Sequence, residues 1–208
     1  MRQLTERLTV LTLMLCITGC GSWPPVVDSK RDIERLSPST PSIRARALPD
    51  ADIPSLARFR QLRILDFRGG HAVTNANITD HGVAELAALE LPQLETLTFG
   101  YSTNITDAGL VHIAKMQSVK WLSLMVCQSI TDAGLPPLLS MTNLTALDLR
   151  GCTGITDSGL LHLARKKNWE TIMFGGCPNV SAEAVAALQR TLPNAKVEKD
   201  EVEWRHHK

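Results

Sequence analysis

Asn104-Ile105-Thr106-Asp107-Ala108-Gly109-Leu110, Ser129-Ile130-Thr131-Asp132-Ala133-Gly134-Leu135 and Gly154-Ile155-Thr156-Asp157-Ser158-Gly159-Leu160 are one line written three times, 25 residues apart. Self-similarity at a fixed period of this length means a stack of like units rather than a single globule. Leu94-x-x-Leu97-x-Phe99, Val119-x-x-Leu122-x-Leu124, Leu144-x-x-Leu147-x-Leu149 and Trp169-x-x-Ile172-x-Phe174 keep the same spacing. Leu62-x-x-Leu65-x-Phe67 precedes Leu94 by 32 residues, and the surplus falls in a longer loop, Gly69 to Asn77. The Thr-Asp pair recurs as Thr79-Asp80 and decays to Ser181-Ala182.

Each unit reads as a short strand followed by a helix. Alternating apolar positions, such as Leu147 and Leu149 around Asp148, mark the strand. Thr106, Thr131 and Thr156 are placed to N-cap the next helix, and the adjacent Asp suits the positive end of its dipole. Leu110, Ile113 and Ala114 then recur at helical spacing to make an inward face. Glycine at 82, 109, 134 and 159 is unfavourable inside a helix by about 1 kcal/mol relative to alanine. Its recurrence implies a first turn packed too closely on its neighbour for a side chain. Asp50 to Ala57 aligns with Asp107 to Ala114 and is expected to supply a terminal helix without a well-formed strand. Asn194-Ala195-Lys196-Val197 begins a sixth strand.

The full pattern L-x-x-L-x-L-x-x-C-x-x-I-T-D-x-G-L-x-x-L-A, over roughly residues 48–197, resembles the cysteine-containing leucine-rich repeat best known from F-box adaptor proteins. The resemblance implies an α/β solenoid: a short, curved parallel sheet of five to six strands on the concave side and helices on the convex side. Stacked repeats of this kind make extended binding surfaces.

At the N-terminus, a charged segment through Arg7 leads into an apolar run from Leu8 to Ile17. That run is too short to span a bilayer and reads as a secretory signal. Ile17-Thr18-Gly19-Cys20 resembles the bacterial lipobox, which implies cleavage before Cys20 and lipidation of its thiol, palmitate being a typical chain. Two or more acyl chains hold a protein firmly at a membrane. The expected organisation is therefore a signal peptide at 1–19, a lipidated Cys20 with a Pro/Ser-rich tether through 47, repeats at 48–197 and a charged tail at 198–208. Trp23-Pro24-Pro25 and Ser37-Pro38-Ser39-Thr40-Pro41-Ser42 carry the tether reading, with one or two helical turns around Lys30–Leu36. The implied location is the bacterial cell envelope, at the outer membrane or the periplasmic face of the inner membrane.

Composition narrows the function. The 208 residues carry a net charge of +1, which gives no electrostatic case for nucleic acid. Cys127, Cys152 and Cys177 are themselves 25 apart and fall on one repeat position. They read as a buried structural ladder of small apolar thiols, as a disulfide between adjacent turns that leaves one thiol over, or as a three-cysteine metal site, to which a stacked row is poorly suited. His112 and His162 share one outer helical position with Pro137 between them, and His71 has no partner nearby in sequence. No nucleophile–base pair stands apart from the repetition, so no enzyme, cofactor or metal is expected.

Binding is expected on the concave face, where strand residues between the core leucines point away from the helices. These are Ile64, Asp66 and Arg68; Thr96, Thr98 and Gly100; Trp121, Ser123 and Met125; Ala146, Asp148 and Arg150; Thr171, Met173 and Gly175. Trp121 and Met125 make an apolar centre with a polar rim, the anatomy of a small protein-binding hot spot. The alternative is that Trp121 only covers the sheet and the Asp/Arg pairs satisfy one another. A protein-interaction scaffold is the leading reading, and an envelope protein that binds or senses glycan or peptidoglycan is the second. A ubiquitin-ligase adaptor follows from the repeat resemblance alone and conflicts with the lipobox.

Overall fold

A computed structural model describes residues 24–68 and 78–199. The signal peptide, Cys20, His71 with its loop, and His206-His207 lie outside the described residues.

Seven three-residue strands form one parallel sheet in chain order: β1 (Ser42–Arg44), β2 (Ile64–Asp66), β3 (Thr96–Thr98), β4 (Trp121–Ser123), β5 (Ala146–Asp148), β6 (Thr171–Met173) and β7 (Lys196–Glu198). The register follows the sequence period, with Ile43, Leu65, Leu97, Leu122, Leu147, Ile172 and Val197 paired across the sheet. Those side chains and the second row of Phe67, Phe99, Leu124, Leu149 and Phe174 meet the inward faces of the helices in one continuous core. Phe67 and Phe99 stack with ring centroids 5.2 Å apart.

The helices are α1 (Lys30–Arg35), α2 (Asp80–Ala88), α3 (Asp107–Ile113), α4 (Asp157–Leu163) and α5 (Ala182–Thr191). Thr79, Thr106 and Thr156 cap α2, α3 and α4 as the sequence leads one to expect, each Oγ1 accepting from the amide two residues on. Thr131 caps in the same way, but the segment it opens breaks into two 3₁₀ turns, Asp132–Gly134 and Pro136–Ser140. Pro136 and Pro137 lack the amide protons an α-helix needs there. Leu135 and Leu138 stay fully buried, so packing holds the unit in place without a regular helix.

The capping threonines also join one repeat to the next. The Asp of each Thr-Asp pair reaches forward and accepts two bonds from the following repeat's cap, one from its backbone N–H and one from its hydroxyl. Asp80 takes Thr106 N–H at 2.8 Å and Oγ1 at 2.6 Å, and Asp107 takes Thr131 at the same distances. Asp50 serves Thr79, Asp132 serves Thr156 and Asp157 serves Ser181. The recurrent glycine faces this ladder. A β-carbon at Gly109 would stand 2.5 Å from Asp80 Oδ1, and Gly82, Gly134 and Gly159 meet Asp50, Asp107 and Asp132 in the same way.

Two expectations need correction. Residues 24–47 are not a free tether from Pro24 onward. Val26 bridges to Arg44, Val27 N–H bonds to the Arg44 carbonyl at 2.8 Å, and β1 pairs with β2. Val27, Ile33, Ile43 and Ala45 are fully buried. This segment is the N-terminal cap that covers the apolar end of the stack, as terminal units of repeat proteins do. The half-repeat at Asp50–Arg58 accordingly has a strand, β1, and its helix is 3₁₀ around Pro54.

The backbone takes a left-handed residue two positions after Phe99, Leu124, Leu149 and Phe174. Gly151 and Gly176 supply it at φ +72° and +73°, whereas Tyr101 and Val126 adopt φ 65° and 61° at the equivalent positions. A β-branched side chain there is strained by about 1–2 kcal/mol. Val126→Gly is expected to stabilise the chain by about 1 kcal/mol despite the added freedom of its unfolded state. That corresponds to a rise of roughly 2–4 °C in the thermal midpoint; an unchanged midpoint would mean the strain is relaxed. Gly109→Ala is expected to destabilise by more than about 1 kcal/mol, although alanine is the better helix former by about that amount. The same change in an Asp80→Ala background should lose most of its cost in a urea-denaturation double-mutant cycle. Additivity of the two changes would contradict the close approach.

Candidate functional site

The sheet face opposite the helices carries three rows. The first runs Ser42, Ile64, Thr96, Trp121, Ala146, Thr171, Lys196, and the second Arg44, Asp66, Thr98, Ser123, Asp148, Met173, Glu198. Arg68, Gly100, Met125, Arg150 and Gly175 follow just beyond the strand ends. Parallel strands lie about 4.8 Å apart, so neighbouring side chains in a row touch and shield one another. Thr96, Thr98, Ser123, Asp66 and Asp148 are consequently buried rather than presented to solvent.

Trp121 is not the exposed centre that its position in the strand implies. It is 8% exposed and packs with Ala146 and Met173 in a small apolar cluster separate from the main core. The small Ala146 beside it leaves room for the indole on the sheet. Met125, four residues further along and just past the strand end, remains half-buried. Trp121→Ala is expected to lower the unfolding free energy by about 3 kcal/mol. A loss below about 1 kcal/mol in urea denaturation would return Trp121 to the surface.

The polar residues of the face are organised by two copies of Asp-x-Arg. Asp66 accepts from Arg68 Nε at 3.0 Å, Arg68 Nη2 at 2.9 Å and the Arg68 amide at 2.9 Å, and from the Thr98 hydroxyl at 2.5 Å. Asp148 accepts from Arg150 Nε at 2.9 Å, Arg150 Nη2 at 2.8 Å and the Arg150 amide at 3.1 Å, and from the Ser123 hydroxyl at 3.1 Å. The two units face one another across β3 and β4, whose hydroxyls turn outward, each to its own carboxylate. Burial pushes the Asp66 carboxyl up, but the Arg68 guanidinium and the Thr98 hydroxyl hold it below the usual carboxylate value. The bond to Asp148 raises Arg150 against the cost of its own burial.

Arg68 does not stay over its own strand. Its side chain crosses Gly100, where a β-carbon would stand 2.8 Å from Cγ and 3.2 Å from Cδ. Tyr101 lies within the fields of both arginines: burial pushes its phenol up, while Arg150 and Arg68 pull it down. The importance of Gly100 and Tyr101 was hidden in the sequence. The available signal was that Tyr101 fills a position occupied by Gly151 and Gly176 in later repeats.

Cys127, Cys152 and Cys177 are buried free thiols. Each Sγ donates to a carbonyl of the preceding unit: Phe99 at 3.2 Å, Leu124 at 3.1 Å and Leu149 at 3.0 Å. Burial pushes the Cys127 thiol up to about 12, so it is protonated and unreactive at neutral pH. Ser102 holds the same position one unit earlier, and its buried hydroxyl has no partner among the described residues. Among the described residues no group of three or more His, Cys, Asp or Glu side chains is placed to hold a metal. His112 and His162 sit in the last turns of α3 and α4, half-buried.

A leucine-rich-repeat family model matches residues 140–164, one unit of the stack. The chain is similar to a solved structure of the yeast Rad7–Elc1 complex, at TM-score 0.62 and 18% identity over 83% of this chain and 44% of that one. It is similar to internalin C2 from Listeria monocytogenes at TM-score 0.54 and 22% identity, over 80% of this chain and 65% of that one. The fold is a leucine-rich-repeat solenoid. A leucine-rich-repeat protein of Leptospira interrogans is also similar, at TM-score 0.49 and 16% identity over 84% of this chain and 48% of that one. The solenoid spans less than two thirds of each of these chains. No curated protein matches it by sequence.

Proposed function

We propose that this solenoid is a non-enzymatic interaction scaffold, anchored through lipid on Cys20 to a membrane of the bacterial envelope, and that it holds a protein partner on its concave side. The observation that carries the binding reading is the pair of Asp-x-Arg units. They break the repeat consensus on the helix-free face and leave Arg68, Met125 and Arg150 accessible at its rim. The interior positions are uniform and fully explained by packing, whereas these are not. Closure of Trp121 removes the exposed indole on which a glycan-binding reading depended.

The anchoring reading rests on Ile17-Thr18-Gly19-Cys20. The packed cap changes its geometry. Pro24 follows Cys20 by four residues, a reach of at most about 14 Å, so an anchored solenoid would stand against the bilayer rather than at the end of a long spacer. The test is expression of the full chain and of Cys20→Ala in a bacterium, followed by fractionation, intact mass and crosslinking in unbroken cells. The native chain is expected in the membrane pellet with an acyl mass increment and a reproducible crosslinked protein, and Cys20→Ala in the soluble fraction. A native chain that is soluble and unmodified would overturn the anchor. A membrane-bound chain without any reproducible crosslink would overturn the scaffold.

A further inference from the structure

We propose that Arg68 and Arg150 form a two-guanidinium clamp for a carboxylate, and that its occupant is an acidic side chain of a protein segment laid across Gly100 and Met125. The proposal deepens the scaffold reading and rests on it for the source of the carboxylate.

The first argument is position. Arg68 and Arg150 follow strands three places apart, about 14 Å at ordinary strand spacing. Arg68 nevertheless leans across Gly100 toward β4 and β5, with Cγ in the space a side chain at Gly100 would fill. Arg150 and Arg68 both pull the Tyr101 phenol down against its burial, which agrees with the lean of Arg68 across Gly100.

The second argument is unused donor capacity. Each guanidinium spends its Nε and one Nη edge on its own aspartate. Among the described residues neither Nη1 has a bond. A guanidinium has five N–H donors in a fixed fork that matches carboxylate geometry, so a second bidentate partner can be taken without releasing the first. The aspartates also hold the fork still. Less side-chain freedom is then lost on binding than with a free surface arginine.

The third argument is the sign of the surface. The two pairs are neutral as a whole but not as seen from solvent. The Asp66 and Asp148 side chains are 8% and 3% exposed, whereas both arginines are 28% exposed. The exposed edges of the two pairs are guanidiniums, with Arg44 also beside Asp66 at 3.7 Å, Glu198 the acidic neighbour of Arg150, and half-buried Met125 offering apolar contact between. Tyr101 adds strain at the same spot, since it holds φ 65° where later repeats use glycine. Retained strain of this kind concentrates at ligand clamps.

The test uses the full chain in detergent with isotope-labelled arginine, titrated separately with hexaglutamate, hexalysine and inorganic phosphate. Hexaglutamate is expected to shift the Arg68 and Arg150 side-chain signals saturably, with hexalysine silent and phosphate weaker by about tenfold. Arg68→Lys and Arg150→Lys keep the charge but lose the fork, and each should weaken hexaglutamate binding several-fold while thermal unfolding shows the chain folded. Arg58→Ala, at the end of the 3₁₀ helix Asp50–Arg58 on the helical side of the sheet, should bind as the native chain does. Equal binding of phosphate and hexaglutamate, undiminished binding by both lysine variants, or no shift at either arginine would each overturn the clamp. None of these outcomes depends on anchoring or on recovery of a partner from cells.

Discussion

The structure depends on a carboxylate that bonds forward. Each Asp of a Thr-Asp pair accepts the amide and hydroxyl of the next unit's cap, and that hydroxyl in turn accepts an amide of its own first turn. One side chain thereby fixes where the next unit begins and how it is rotated. The glycine two residues on is part of the same device, because it leaves the space the incoming carboxylate occupies. Thr, Asp and Gly recur together because the three make one joint. The ladder has a direction: it starts at Asp50, preceded by Pro49 with no side-chain cap, and finishes at Ser181, followed by Ala182.

The joint also explains which irregularities the stack tolerates. The unit containing Pro136-Pro137 loses its α-helix but keeps Thr131, Asp132 and Gly134, and with them both of its joints. The cysteine ladder works on the other side of the core by tying the loops after three strands, β4, β5 and β6, to a preceding carbonyl. With both sides pinned, the backbone two residues after Phe99, Leu124, Leu149 and Phe174 is forced into the left-handed region, even where Tyr101 and Val126 must adopt it.

Variation survives where neither joint nor core reaches, on the face away from the helices. There the two Asp-x-Arg units turn buried carboxylates inward and guanidiniums outward. In each pair the guanidinium is thus the more exposed partner. The cap at residues 24–47 closes the opposite need. A stack has two apolar ends, and Val27, Ile33 and Ile43 bury themselves over the first of them.

The strand register, the capping threonines and the close approach at the glycines were legible in the sequence, because each repeats and a period of 25 reads the same in one dimension as in three. The cap at 24–47 was not. Its apolar residues are few and scattered among prolines, serines and charged residues, so no local pattern distinguishes them from a linker, and only their burial in the fold does. The sequence left the burial of Trp121 as one of two alternatives, since the strand period gives its direction but not how closely it packs with Ala146 and Met173. The two Asp-x-Arg motifs could be read as a pair of sites, but not as one. Arg68 and Arg150 lie 82 positions apart in the chain (150 minus 68), and what joins them is the stacking of β2 to β5, together with the missing side chain at Gly100. The sequence by itself determined the repeating joint, a property of neighbouring units. Only the tertiary structure decided what the non-repeating residues do, because their partners come from other units and are set by packing rather than by period.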